Sequence, residues 1–382
     1  MTRWQLLAGP AVAAPAADLT KARNRKATFR LDEPSGLSFE LPGRHQQAGY
    51  VHELLSDVHL LRDSTPLYTG RVGGSGDNIA DDGHTITVPT ADTRALLGRR
   101  FWPDNAGATT EDEETNGLNY TGDTGALARL LLTTAQAGQG ADLAIDVNAA
   151  PNTGTTLTRL VKAGAAINAE LDAAATHGRP DHGFDWDITP GWTDRTLQLW
   201  APRRGQDRGV VLDYTYTGRP RSSIVARLGR QVDPADYANA VRVIGGVRIE
   251  KRSIQVTAAD GTVTTEEIEV RHPTTPVTRS IAPGAEGRWE KRITDSALVN
   301  QGEVVARAEA ELARLSTLQP SYSVTLKQNA WDGPEHIWLG DTVRLLIRSG
   351  RLDEDLSLRV TGLDLTLGDS GEEDVTLHLG PP

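Results

Sequence analysis

The chain has no cysteine, a single methionine, few aromatic residues (5%) and no long apolar run. Without Cys, disulfides, thiolate metal sites and a Cys nucleophile are excluded, and the redox compartment stays undecided. No stretch approaches the ~18 apolar residues that span a bilayer, so no membrane span is expected. The start, Trp4 to Ala17, has a lone Arg3 before small residues. Gly9, Pro10 and Pro15 interrupt the apolar helix that a secretory leader needs, and an irregular arm or edge strand fits better. Positive charge is also scarce: 40 Lys and Arg face 51 Asp and Glu, for a formal charge of −11. That balance argues against a phosphate-backbone binder, which gathers Lys and Arg on one face. No sequence-specific nucleic-acid partner is expected.

What is present is alternation. A chain of 382 residues suffices for two to four domains with their own cores. Ala27–Leu31 and Leu37–Leu41 alternate apolar and polar residues across Asp32-Glu33-Pro34-Ser35-Gly36, which predicts a hairpin. Val58–Asp63 and Leu67–Val72 predict a second hairpin, and Thr85–Pro89 a further strand. The end of the chain predicts a three-strand antiparallel meander. Its strands are Leu339–Ile347, led by Gly340-Asp341, then Leu356–Leu367 and Val375–Leu379. Turns at Ser349-Gly350 and Gly368-Asp369-Ser370-Gly371 separate them.

Between these β-rich blocks the texture changes. Trp102 to Asn119 is acidic, with Glu111-Asp112-Glu113-Glu114, and reads as a surface loop. Leu127–Ala137 and Thr155–Ala175 are Ala/Leu-rich. In the second, Leu157, Leu160, Val161, Ile167 and Leu171 fall at helical spacing and predict one amphipathic helix, with Gly164 on its stripe. Phe184–Ile188 and Thr196–Trp200 return to strand texture. Ile254–Thr257 and Val263–Val270 predict a hairpin over Ala259-Asp260-Gly261, and Val299–Leu315 a second helix. The fold class is therefore α+β and β-rich. Residues 1–100 form the first β block and 101–190 an inserted small α/β domain. Residues 191–235 are strands returning to the first block with a linker, and 236–382 form the second block with its helix at about 299–315. No fixed short repeat points to a solenoid or propeller.

Three constellations could carry chemistry. Gly368-Asp369-Ser370-Gly371 matches the tetrapeptide around a serine-protease nucleophile, which needs a His base and a buried Asp. It also lies between two alternating strands, where Gly, Asp and Ser are ordinary turn formers, and the turn is the preferred reading. His177, Asp181, His182 and Asp185 supply metal-ligand types, but Gly178 and Pro180 keep the two His off one helix face, so a polar loop is preferred. Asp185 and Asp187 around Trp186 suggest a glycosidase pair. Alternation puts Trp186 on the core side and both carboxylates in solvent. Loose calcium sites at Asp77, Asp81 and Asp82 or at the Glu111 run are weaker still. Catalytic, cofactor and metal residues are accordingly expected to be none. Lys21, Arg23, Arg25, Lys26 and Arg30 form a basic cluster, whereas residues 362–382 carry five acids and no Lys or Arg. The cluster reads as a nucleic-acid arm or, in so acidic a chain, as a candidate subunit interface.

Several of these stretches together resemble the tail hub, or tail-associated (minor tail), family of long-tailed phages. Ala17-Asp18-Leu19-Thr20 through Leu41 is similar to that family's first hairpin, and Leu60–Asp63 with Leu67–Val72 to its second. Thr85–Val88 with Leu96–Arg100 resembles the stretch that follows. Phe184–Ile188 resembles the strand after its inserted helix. Ala238–Gly245 resembles the entry into a second barrel, and Leu339–Val343 with the meander resembles its close. The resemblance implies two tube-like β-barrels with an inserted domain, assembled as a homotrimer that mimics a sixfold tail tube. It implies a structural, non-enzymatic role at the tail tip of the virion, with assembly in the host cytoplasm. The implied partners are a distal tail protein, a tape measure protein and spike or fibre proteins. This chain ends after the second barrel, where longer members append a peptidase or lysozyme-like module. The alternatives are a secreted glycosidase or peptidase, or a carbohydrate-binding β-module resting on the eight Trp.

Overall fold

The computed structural model describes residues 3–81, 83–103, 116–137, 140–177, 179, 182–216, 220–221, 224–257, 263–369 and 371–381. The protein is β-rich, and its two terminal blocks share one curled 15-stranded sheet. Eight strands of this sheet form a continuous wall. Their order is Val225–Val232, Pro320–Leu326, Glu373–Gly380, Leu352–Leu367, Arg23–Arg30, Gly36–Pro42, Gly83–Asp92 and Gly76–Ala80. Every neighbouring pair in the wall is antiparallel. The two blocks meet where Arg25–Arg30 pairs with Gly362–Leu367.

The wall packs on one side only, as period-two alternation requires. Leu37, Phe39 and Leu41, Phe29, Leu363 and Leu365, Leu377, and Val324 all point into one core. The opposite wall of that core comes from the same sheet as it curls. One arm runs through Thr342–Ser349 and Asp207–Tyr216, and the other through Thr65–Val72, Ser56–Arg62 and Trp4–Pro10. Each fully buried Leu, Val or Phe stabilises by about 1.5–3 kcal/mol, which makes the register hard to slip.

The Gly340-Asp341 turn locks the C-terminal arm. Gly205 and Gly340 lie back to back at φ +91 and +88, and a Cβ on Gly205 would stand 2.1 Å from the Gly340 carbonyl. Buried Asp341 accepts from Gln206 N at 3.0 Å and Trp338 N at 3.0 Å. That clamp starts the parallel pairing of Asp207–Tyr216 with Thr342–Ser349. Here the sequence reading needs correction. Residues 191–235 read as strands returning to the first block, yet Asp207–Tyr216 and Val225–Val232 pair with C-terminal strands.

A second core gathers Leu97 to Leu199 around α1 (Thr93–Leu97), α2 (Thr124–Ala135) and α3 (Ile167–Thr176). Asp92 caps α1 by accepting from Ala95 N, and Asp123 caps α2 by accepting from Gly125 N and Ala126 N. The expected single helix over 155–175 is instead a strand, Thr156–Val161, then a turn and α3. β-branched Thr155, Thr156, Thr158 and Val161 favour the strand. Gly164, at φ +74, makes the turn rather than a helix-packing notch. A third core, Ala238 to Leu315, is closed by α4 (Gln301–Leu315), whose Val304, Ala308 and Leu315 face Val241 and Val243. From this third unit a two-stranded ribbon, Val247–Thr257 with Val263–Pro273, extends in unbroken antiparallel register. The Asp-Gly turn placed at its tip falls outside the described residues.

Candidate functional site

The outward face of the eight-strand wall is the most distinctive surface. Residues alternating with the core positions are Arg227 and Gly229, Ser323 and Thr325, Thr376 and His378, Asp364 and Thr366, Lys26, Thr28 and Arg30, Ser38 and Glu40, and Thr85 and Thr87. The face is thus hydroxyl-rich and carries no Phe, Tyr or Trp at these positions. Thr325 Oγ1 and Thr376 Oγ1 hydrogen-bond across strands at 3.0 Å. Several of its charges meet one another, while Lys26 and Arg227 are exposed. Arg30 forms an ion pair with Asp364 at 2.7 Å, His378 Nε2 lies 2.7 Å from the same carboxylate, and Asn24 donates to Glu40 at 2.7 Å. Burial pushes the Asp364 carboxyl up, but the His378 hydrogen bond and the Arg30 guanidinium outweigh it and hold the group below its ordinary value.

The basic cluster lies on this wall, and strand pairing explains its proximity to the acidic terminus. Arg23 stands 3.9 Å from Asp369, Arg25 donates to Gly368 O at 2.9 Å, and Arg30 meets Asp364. Lys21 and Lys26 are exposed. Sequence reasoning identified both charge clusters but could not join them, because the pairing partners are more than 300 residues apart.

The seam between the wall's core and the inserted domain holds buried charge. Arg195, 1% exposed, donates to Asp57 at 2.6 Å, and Arg71 reaches the same carboxylate at 2.5 Å. Asp185 accepts from Arg359, from Arg179 at 3.0 Å and from Arg204 N at 2.5 Å. Asp187 takes Arg204 at 2.7 Å. Trp186 is buried as alternation requires, but Asp185 is 2% exposed rather than solvated. Both carboxylates of the suspected glycosidase pair are therefore held by guanidinium groups. His59, also buried, contacts Thr69 Oγ1 through Nδ1 at 2.9 Å, and its ring meets Trp192 at 4.3 Å. Burial lowers its pKa to about 4.

Other sequence candidates separate. Ser370 and Asp181 lie outside the described residues, as does the Glu111 run. Around Ser370, Gly368 N donates to Glu372 O at 2.9 Å and Gly371 N to Gly368 O at 3.1 Å, which is hairpin geometry. Among the described residues no group of three or more His, Asp or Glu could hold a metal ion, and no helix is long and apolar enough to cross a membrane. A cleft between Phe29, Asp92, Trp200 and Trp338 encloses about 160 Å³. That is below the ~300–1,000 Å³ typical of small-molecule sites. Its Asp92 oxygens are taken by Ser35 N at 2.6 Å and Ala95 N at 2.9 Å, and burial raises that carboxyl to about 6. Several Trp residues serve packing: Trp331 stacks between Trp4 and Trp338, and Arg94 lies over Trp186.

This arrangement of a curled shared sheet with inserted units is the fold of phage tail proteins. The tail protein of Neisseria meningitidis MC58 aligns over 100% of this chain and 96% of its own, with a TM-score of 0.60 at 12% identity. The 43 kDa tail protein of prophage MuSo2 from Shewanella oneidensis covers 100% and 99%, at 0.57 and 13%. A prophage tail protein from Listeria monocytogenes EGD-e covers 98% and 94%, at 0.53 and 10%. No family model and no curated protein sequence matches the chain.

Proposed function

We propose that this chain is a structural hub at the distal end of a phage tail tube, assembled as a homotrimer whose hydroxyl face lines the lumen. The observation that carries this reading is the wall. A conduit for DNA must not hold it, and duplex affinity comes mainly from cations that neutralise phosphates. On this face Arg30 is met by Asp364, two exposed cations, Lys26 and Arg227, remain, and most other positions offer Ser and Thr hydroxyls. In this reading, residues 1–100 and 236–382 contribute the two tube-like barrels and 101–190 the inserted domain. The strands of 191–235 go with the second barrel. The ring contacts a distal tail protein and the tape measure protein above, and spike or fibre proteins below. It is built in the host cytoplasm, resides in the virion and catalyses no reaction. Of the basic cluster, Lys21, Arg23 and Arg25, toward the strand end beside Gly368-Asp369, lie toward a subunit contact, whereas Lys26 and Arg30 share the lumen-facing side.

Native mass spectrometry over a concentration series, with a duplex-DNA titration, tests the proposal. The expected result is a trimer without tight DNA retention. A monomer throughout, or tight binding to duplex DNA, would refute it.

A further inference from the structure

A cleft opens where three units meet: the shared sheet, the inserted unit at the end of α3, and α4 of the third unit. It holds about 500 Å³, within the ~300–1,000 Å³ typical of ligand sites. Five arginines line it, Arg179, Arg203, Arg307, Arg314 and Arg359, against three acids, Asp32, Asp185 and Glu311. The lining side chains thus carry a surplus of two positive charges, in a chain whose formal charge is −11. We propose that this cleft binds an acidic peptide segment of a partner protein, its carboxylates on the arginines and its aliphatic groups on the walls between them. The inference stands on the charges of the cleft itself and goes beyond the hub reading, which names no contact here.

The acids of the cleft are already taken. Asp185 holds Arg359, Arg179 and Arg204 N, and Glu311 accepts from Arg307 at 2.8 Å and from Arg314 at 2.9 Å. Asp32 meets Arg179 at 3.4 Å. Donors are left over. Among the described residues, Arg179 makes its contacts through Nη2, Arg314 bonds Glu311 through Nε and Nη2, and exposed Arg203 has no partner. Arg307 Nε is buried without a hydrogen-bond partner among them. A guanidinium edge takes a planar anion such as carboxylate through two parallel hydrogen bonds. Leu31, Pro202, Ala310 and Ala313 form apolar walls between the charges, and such low-dielectric walls concentrate the field inside a cleft. The walls favour a peptide over duplex DNA. An acidic chain brings aliphatic groups along with its carboxylates, whereas a duplex needs a row of cations on an open surface.

A fluorescein-labelled hexapeptide of Glu and Leu, titrated into the full-length protein and followed by anisotropy, tests this. The expected result is saturable binding that weakens with salt and is absent for the same peptide with Gln in place of Glu. Arg203→Gln with Arg314→Gln removes two exposed guanidinium groups of the cleft. Binding should weaken at least about tenfold while thermal unfolding stays unchanged. Arg99→Gln with Arg351→Gln removes the same charge from exposed positions that do not line the cleft, and should change binding less than about twofold. Equal losses in the two pairs would mean general attraction rather than a site, and would overturn the inference. Displacement of the peptide by duplex DNA at matched ionic strength would assign the cleft to nucleic acid and overturn it too. A trimeric protein that never binds the peptide overturns this inference and leaves the hub reading standing.

Discussion

Arg195 and Arg359 at the seam, and Arg30 on the wall, each face an aspartate, but in opposite surroundings. Arg195 and Asp57 are almost wholly buried, as is Asp185 beneath Arg359. The Arg30 and Asp364 side chains are 26% and 38% exposed. Buried, an ion pair is a fastener: removing one partner strands a charge in a poor solvent. On an exposed face it contributes little stability, and its effect is to cancel the field that a nearby polyanion would feel. The same chemistry thus joins the inserted domain to the sheet in one place and keeps a surface inert in another.

Breaking the seam should have the largest effect. Arg359→Met leaves Asp185 buried with fewer donors and should cost about 3–5 kcal/mol in urea unfolding, whereas Arg30→Gln on the wall should cost under about 1 kcal/mol. Equal losses would erase the distinction.

Acid should act next, and again at the seam. The folded His59 ring titrates near 4 against an ordinary 6.5, so the unfolded chain takes up its proton first as pH falls. The His59 contribution is therefore intact above pH 6.5 and declines toward pH 4, by about 3 kcal/mol across that window. Asp92 opposes it. Its carboxyl is raised to about 6, so the folded state protonates first and gains stability as pH falls from about 6. Comparing His59→Gln with wild type from pH 7 to 4 isolates the first term. The variant should lack the acid-dependent loss, and parallel curves would disprove the assignment.

A smaller loss is expected at the clamp. Gly340→Ala puts a Cβ 2.7 Å from Arg204 O at φ +88, which should cost about 1–3 kcal/mol in thermal unfolding. The smallest stability change should come from the wall itself. Thr325→Lys with Thr376→Lys should leave unfolding within about 0.5 kcal/mol of wild type. The same variant should create duplex-DNA affinity, with a salt slope steeper by about 0.9 per phosphate contacted. DNA binding unchanged in both sign and salt dependence would mean that this face does not meet DNA.

The sequence made the local faces legible and left the partners hidden. Alternation in Leu37–Leu41 and Leu363–Leu367 set which side chains are buried, and both hairpins of the first block form where turn residues placed them. The fold of phage tail proteins was legible as an order of elements rather than in any one motif. What periodicity cannot report is long-range pairing. Arg25–Arg30 beside Gly362–Leu367, and Asp185 beneath Arg359, are set by the shared core and not by neighbours in sequence. Short apolar runs also mislead. Thr156–Val161 carries helical spacing by coincidence, and its β-branched residues decided for a strand. The hydroxyl face was spelled out in single Ser and Thr residues across six strands, so no local window could display it.

The most direct measurement is an electron cryo-microscopy reconstruction of a tail tip carrying this chain. The account predicts three copies around the axis, with Thr28, Thr325 and Thr376 facing the lumen and the inserted domain outside. A reconstruction in which those three residues lie on the outer surface, or are covered by another protein in the DNA-conducting state, would contradict it.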